Sequence, residues 1–157
     1  MKYLEQREKI IQAYYNNELN PYNECACFIG NLLNNSDEWS ACRKPTGVWE
    51  WVKGVLIENN ESPNYQYSKS FIEEESNNFY KVKDIIDLES NFLQTIYKHI
   101  KCDSMNDTKK HPNYEEALFL AMDSTLDLLL EIHKRNGDES VLDLEKPVFN
   151  KRQLEKV

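Results

Sequence analysis

The chain has 157 residues, 40% of them hydrophobic, and its 19 basic and 27 acidic residues give a formal charge of −8. That length suits one domain, residues 1–157, with a single core. Four Gly and five Pro are too few for a turn-rich β-sandwich or barrel, and the acidity opposes direct contact with nucleic acid or anionic lipid. No run is long and apolar enough to span a bilayer, and the amphipathic, charged segment 1–19 is not a signal peptide. A cytoplasmic location is expected, where the four Cys would be free thiols rather than disulfides.

Residues 3–18 read as a first helix, with Tyr3, Ile10, Ile11 and Tyr14 near one face and Asn20-Pro21 as its stop. A short second helix is predicted from Asn23 to Leu33, turning Cys25, Phe28, Ile29, Leu32 and Leu33 inward. Asn34-Asn35-Ser36 breaks the chain before a capped turn carrying Trp39, Ala41 and Cys42. Val48 to Glu58 fits a helix through Val48, Trp51, Val52, Val55 and Leu56. Its β-branched and aromatic content also suits a strand or hairpin, and helix is preferred. The polar stretch Asn59 to Ser70, with Pro63, reads as a long surface loop, and Phe71 to Asn78 as a short helix.

Lys81 to Lys101 is a strong helix whose stripe is Val82, Ile85, Ile86, Phe92, Leu93, Ile96, Tyr97 and Ile100. Cys102 to His111 reads as a loop. The most apolar helix runs from Asn113 to Asn136. Leu118, Met122, Thr125, Leu129 and Ile132 recur at helical spacing, with further apolar residues on both flanks. Asn113 and Glu116 form a capping-box pattern, and Gly137 can supply a left-handed stop. In the tail, Val141, Leu142, Leu144, Val148 and Phe149 can dock across the bundle. The fold class expected is all-α: a single-domain helical bundle with two long central helices.

Candidate chemistry is sparse. Cys25 and Cys27 are spaced two apart with Cys42, Cys102, His99 and His111 elsewhere, which lacks the two close ligand pairs of structural zinc, so no metal is expected. There is no Glu-x-x-His pair for a di-iron bundle, and no glycine-rich phosphate loop, nucleophile elbow or zinc-protease motif. No catalytic residue and no cofactor are therefore assigned. One nucleophile alternative stands: Asn23-Glu24-Cys25 at a helix start resembles the nucleophile helix of peptidoglycan-cleaving cysteine hydrolases, with His99 or His111 as base.

What stands out is an acidic line. Glu116, Asp123, Asp127 and Glu131 fall near one stripe of the Asn113–Asn136 helix, with Lys134 the cation on that stripe. Glu73 to Glu75, Asp84, Asp87, Asp138, Glu139, Asp143 and Glu145 add to the imbalance. Such a surface steers a cationic protein toward it.

The pattern Asn20-Pro21-Tyr22, then Cys27-Phe28-Ile29-Gly30-Asn31-Leu32 and Trp39, in a small acidic helical chain, resembles bacterial immunity proteins that neutralise nuclease toxins, including those of contact-dependent growth inhibition. The resemblance implies a binding protein rather than an enzyme. Its partner would be a basic protein such as a nuclease toxin domain, with carboxylates filling the places of substrate phosphates. Glu116, Asp123, Asp127 and Glu131 are the expected partner-binding residues. The alternatives are a cysteine hydrolase using Cys25 and a phage-type inhibitor or regulatory adaptor.

Overall fold

The computed structural model describes residues 2–21, 27–33, 38–39, 63–101, 105–142, 144 and 149–152. These residues are mostly helical, and none of the described residues forms a strand. The helices are α1 (Tyr3–Tyr15), α2 (Phe28–Leu32), α3 (Pro63–Glu75), α4 (Val82–Ile100), α5 (Met105–Lys110) and α6 (Tyr114–Arg135), followed by a 3-10 turn at Glu139–Val141. Among the described residues no helix is long and apolar enough to cross a membrane.

The two long helices, α4 and α6, make the most extensive interhelical contact. Asp84 near the start of α4 meets Arg135 at the end of α6, and Asn91 meets Ser124 and Thr125 farther along, so the pair runs antiparallel. The other elements lean on this pair: α2 and α3 touch α4, while α1, α5 and the 3-10 turn touch α6. The pairing follows from the stripes. Val82, Ile85, Leu88, Phe92, Leu93, Ile96 and Ile100 on α4 are buried, as are Ala117, Leu118, Ala121, Met122, Leu126, Leu129 and Ile132 on α6. Residues spaced three and four apart lie on one face, and closing two such faces removes them from water.

Three helices end in the same way. Asn17, Asn77 and Gly137 take left-handed backbone angles (φ 59, 50 and 88). At each, the next amide reaches back five residues: Glu18 N–H to the Ala13 carbonyl, Asn78 to Glu73, and Asp138 to His133. This double-bonded cap satisfies the carbonyls a helix leaves open, and Asn and Gly bear the left-handed angle at least cost. The stop expected at Gly137 is therefore present. That of α1 lies at Asn16-Asn17, ahead of Asn20-Pro21, because the cap forms first.

Four local expectations are corrected. The surface loop expected through Ser70 is helical from Pro63 on: proline is at ease in the first helical position, where its missing N–H has no partner to lose, and Ser68, Phe71 and Ile72 supply a buried face. The loop expected over 102–111 contains α5, which ends just before His111-Pro112. Asn113 makes no side-chain cap, because its angles (φ −92, ψ 7) are not the extended ones a capping side chain needs. Leu142 is 68% exposed, whereas Val141 is buried and Leu144 and Phe149 are partly so. Trp39 is buried. Cys25, Ala41, Cys42, the Val48–Glu58 segment, Cys102 and Val148 lie outside the described residues.

Candidate functional site

The acidic line runs along the least buried side of α6. Glu116 and Glu131 at its ends are exposed, whereas Asp123 and Asp127 between them are half-buried rather than facing solvent. The exposed ends have cations beside them: Lys151 bonds Glu116, and Lys134 sits 3.7 Å from Glu131. From Glu116 to Glu131 the ridge runs about 22 Å at 1.5 Å per residue. Two members of the wider acidic set do not belong to the surface. Asp84 and Asp138 are 3% and 8% exposed and sit in hydrogen-bond networks.

The cysteine that the structure places is Cys27. It stands at the head of α2, where its sulfur accepts from the Gly30 amide at 3.4 Å. Its thiol donates to Glu89 at 3.2 Å, and the same carboxylate oxygen accepts from the Ile29 amide at 3.4 Å. Both residues are fully buried. The two histidines considered as bases make local contacts: His99 Nδ1 donates to the Thr95 carbonyl at 2.8 Å, and His111 Nδ1 accepts from the Asn113 amide at 3.1 Å. Among the described residues no group of three His, Cys, Asp or Glu side chains is placed to hold a metal ion.

A buried polar cluster centres on His133, which is fully buried in the last turn of α6. Asp138 Oδ2 lies 2.8 Å from His133 Nδ1, and Tyr80 Oη lies 2.6 Å from His133 Nε2. Asp138 also accepts from the Tyr3 amide at 2.9 Å and from the Ser140 amide and hydroxyl at 3.0 and 2.6 Å. Burial pushes the Asp138 carboxyl up, but the bonds from Ser140, His133 and Tyr3 outweigh it and hold its pKa at about 2. Burial holds His133 below its ordinary value despite Asp138, and burial raises Tyr80 strongly. The protons follow. Ionised Asp138 accepts a hydrogen bond from the Nδ1–H of a neutral imidazole, whose Nε2 accepts from the Tyr80 hydroxyl.

This chain of acid, imidazole and hydroxyl has the order of a catalytic triad. Its setting differs from one. Tyr80 is 1% exposed, and its hydroxyl proton is held more tightly than in water. Tyr3, Phe79 and Tyr80 surround the imidazole ring at 5.7, 4.7 and 5.5 Å. The network ties the start of α1, the α3–α4 corner and the end of α6 together. It is a structural staple.

Two further ionic knots lie at opposite ends of α6. At its start, Arg152 grips Glu115 with two parallel bonds of 2.9 and 2.7 Å, donates to the Tyr14 carbonyl at 2.7 Å, and stacks over the Tyr14 ring at 4.9 Å. At its end, Asp84 accepts from Arg135 at 2.8 Å, Asn136 at 2.9 Å and the Lys81 amide at 3.0 Å. In the sequence His133 falls in the last turn of α6 and Asp138 counts among the acids that add to the charge imbalance. The signal that joins them is the spacing of five residues across the Gly137 cap, which folds Asp138 back onto the last turn. Tyr80, Glu89 and Arg152 carry no comparable local signal.

No protein-family model matches the chain, and neither a curated protein nor a solved structure matches it.

Proposed function

We propose that this chain is a binding protein that neutralises a basic protein, as an immunity protein blocks a nuclease-type toxin. The observation that carries this reading is the α6 ridge, where Glu116, Asp123, Asp127 and Glu131 line one side of a helix whose apolar stripe is buried in the core, in a chain of charge −8. A ridge anchored in the core is rigid, so a partner need not order it on binding. The ion pairs at its exposed ends are surface pairs, which solvent and salt weaken. Arginines or lysines of a partner can replace Lys151 and Lys134 at little cost. Opposite charges across the interface then speed encounter, and salt screens that gain. The carboxylates would occupy positions that substrate phosphates take in the partner's cleft.

The test uses the exposed ends of the ridge, because reversing half-buried Asp123 or Asp127 also perturbs packing. Glu116→Lys with Glu131→Lys should slow association with a basic toxin domain, obtained from the neighbouring gene, by about tenfold or more at low salt. The difference should shrink as salt rises, with thermal stability nearly unchanged. Equal association rates at low salt would show that this ridge is not the docking face.

A further inference from the structure

Cations gather at the α3–α4 corner. Between the α3–α4 corner and the C-terminal end of α6 lies a cleft with about 600 Å3 of open space, walled by Asn77, Asn78, Phe79, Lys81, Arg135 and Asn136 among others. A hollow of about 450 Å3 shares Asn78 and Lys81 and adds Lys69 and Lys83. A third, of about 270 Å3, again brings Lys81, Lys83 and Arg135 together.

The cations around these hollows are Lys69, Lys81, Lys83 and Arg135, and the acids are Glu73 and Asp84, with Asp87 near Lys83 and Arg135. Lys69 pairs with Glu73 at 3.9 Å, and buried Asp84 is committed to Arg135, Asn136 and the Lys81 amide. Among the described residues neither Lys81 nor Lys83 has a carboxylate within ion-pair distance. Three positive groups thus converge on one opening, and their mutual repulsion is relieved by an anion.

The walls are held in place. Asp84 takes one guanidinium nitrogen of Arg135 and leaves the remaining N–H groups of a side chain that is 60% exposed. Asn136 donates to the Phe79 carbonyl at 2.9 Å, fixing the corner to α6. Phe79 packs against His133 at 4.7 Å and Tyr80 at 5.1 Å, and it offers the cleft an apolar wall. A planar guanidinium with two ammonium groups suits the clustered oxygens of a phosphate. The volume falls in the range of small-molecule sites, and the apolar wall suits a ring.

We propose that the large cleft and the small hollow beside it together bind a small organic phosphate of the nucleotide class, with the phosphate in the small hollow on Lys81, Lys83 and Arg135 and the ring in the large cleft beside Phe79. The site is separate from the α6 ridge and does not depend on the partner proposed above. The experiment titrates adenosine triphosphate into the full chain by calorimetry, with amide chemical-shift mapping, against inorganic phosphate, adenosine and a polyglutamate peptide. Adenosine triphosphate should bind saturably, more tightly than phosphate or adenosine, with shifts centred on residues 76–83 and 135–137. Lys81→Gln with Lys83→Gln should weaken binding by about tenfold or more without changing the melting temperature. Lys98→Gln with Lys101→Gln, the same charge change at the far end of α4, should leave it intact. Absence of saturable binding at millimolar ligand, equal weakening by both pairs, or tighter binding of polyglutamate would overturn the proposal.

Discussion

The Asp138 carboxylate can be removed with almost no change of shape by Asp138→Asn. In the native chain it receives hydrogen bonds from Tyr3, His133 and Ser140. An amide keeps one oxygen to serve Ser140, but its NH2 group then faces the Tyr3 amide and the His133 Nδ1–H, both donors. If the imidazole shifts its proton to Nε2, the Tyr80 hydroxyl must turn from donor to acceptor and the Tyr3 amide still lacks a partner. Charge-assisted bonds contribute about 1.5–3 kcal/mol each, and a buried donor left unpaired costs about 1–3 kcal/mol. Moving the carboxyl from its ordinary 3.8 to about 2 corresponds to roughly 2 kcal/mol. The two routes agree on a loss of about 2–4 kcal/mol at pH 7. The assay is urea unfolding from pH 7 to pH 2. Because the folded pKa is depressed, the Asp138 contribution is complete above about pH 4 and fades as pH falls toward 2. Wild type should therefore lose roughly 2 kcal/mol across that window beyond what the variant loses. A variant within 0.5 kcal/mol of wild type at pH 7, or one with the same acid limb, would refute the account of this network.

His133 gives a second pH signature: its folded pKa lies below the ordinary 6.5, so stability should fall as pH drops below about 6.5, and His133→Gln should flatten that limb in the same unfolding series. Leu129 is fully buried between the long helices, and Leu129→Ala should cost about 2–5 kcal/mol by chemical denaturation; a loss below about 1 kcal/mol would contradict its place in the core. At Gly137 an added methyl group meets nothing within 4 Å, but φ is +88, so Gly137→Ala should destabilise by about 1 kcal/mol through backbone strain alone, read as a lower urea midpoint at unchanged slope.

The sequence by itself determined the all-α class, the extents of α4 and α6 to within a residue or two, and most of the core. Those features are periodic: Val82, Ile85, Phe92 and Ile96, like Leu118, Met122, Leu129 and Ile132, repeat at the spacing of one helix face, and burying that face is the largest single gain on folding. The Gly137 stop is legible for a related reason, since glycine adopts the left-handed angle without the cost a Cβ imposes. Helices with weak apolar stripes are not. Residues 63–70 read as a loop because polar residues outnumber apolar anchors there, and packing against α4 makes them part of one helix with the segment after Phe71. The polar interior lay further out of reach. Tyr80 reaches His133 across 53 residues, Cys27 reaches Glu89 across 62, and Arg152 reaches Tyr14 across 138. Hydrogen bonds and ion pairs act only at contact distance, so which polar groups meet depends on how the helices stack. The same stacking withdraws Asp84 and Asp138 from the acidic surface and gathers Lys81, Lys83 and Arg135 around one cleft. Net charge is a property of the sequence, whereas its distribution over the surface is set by the fold.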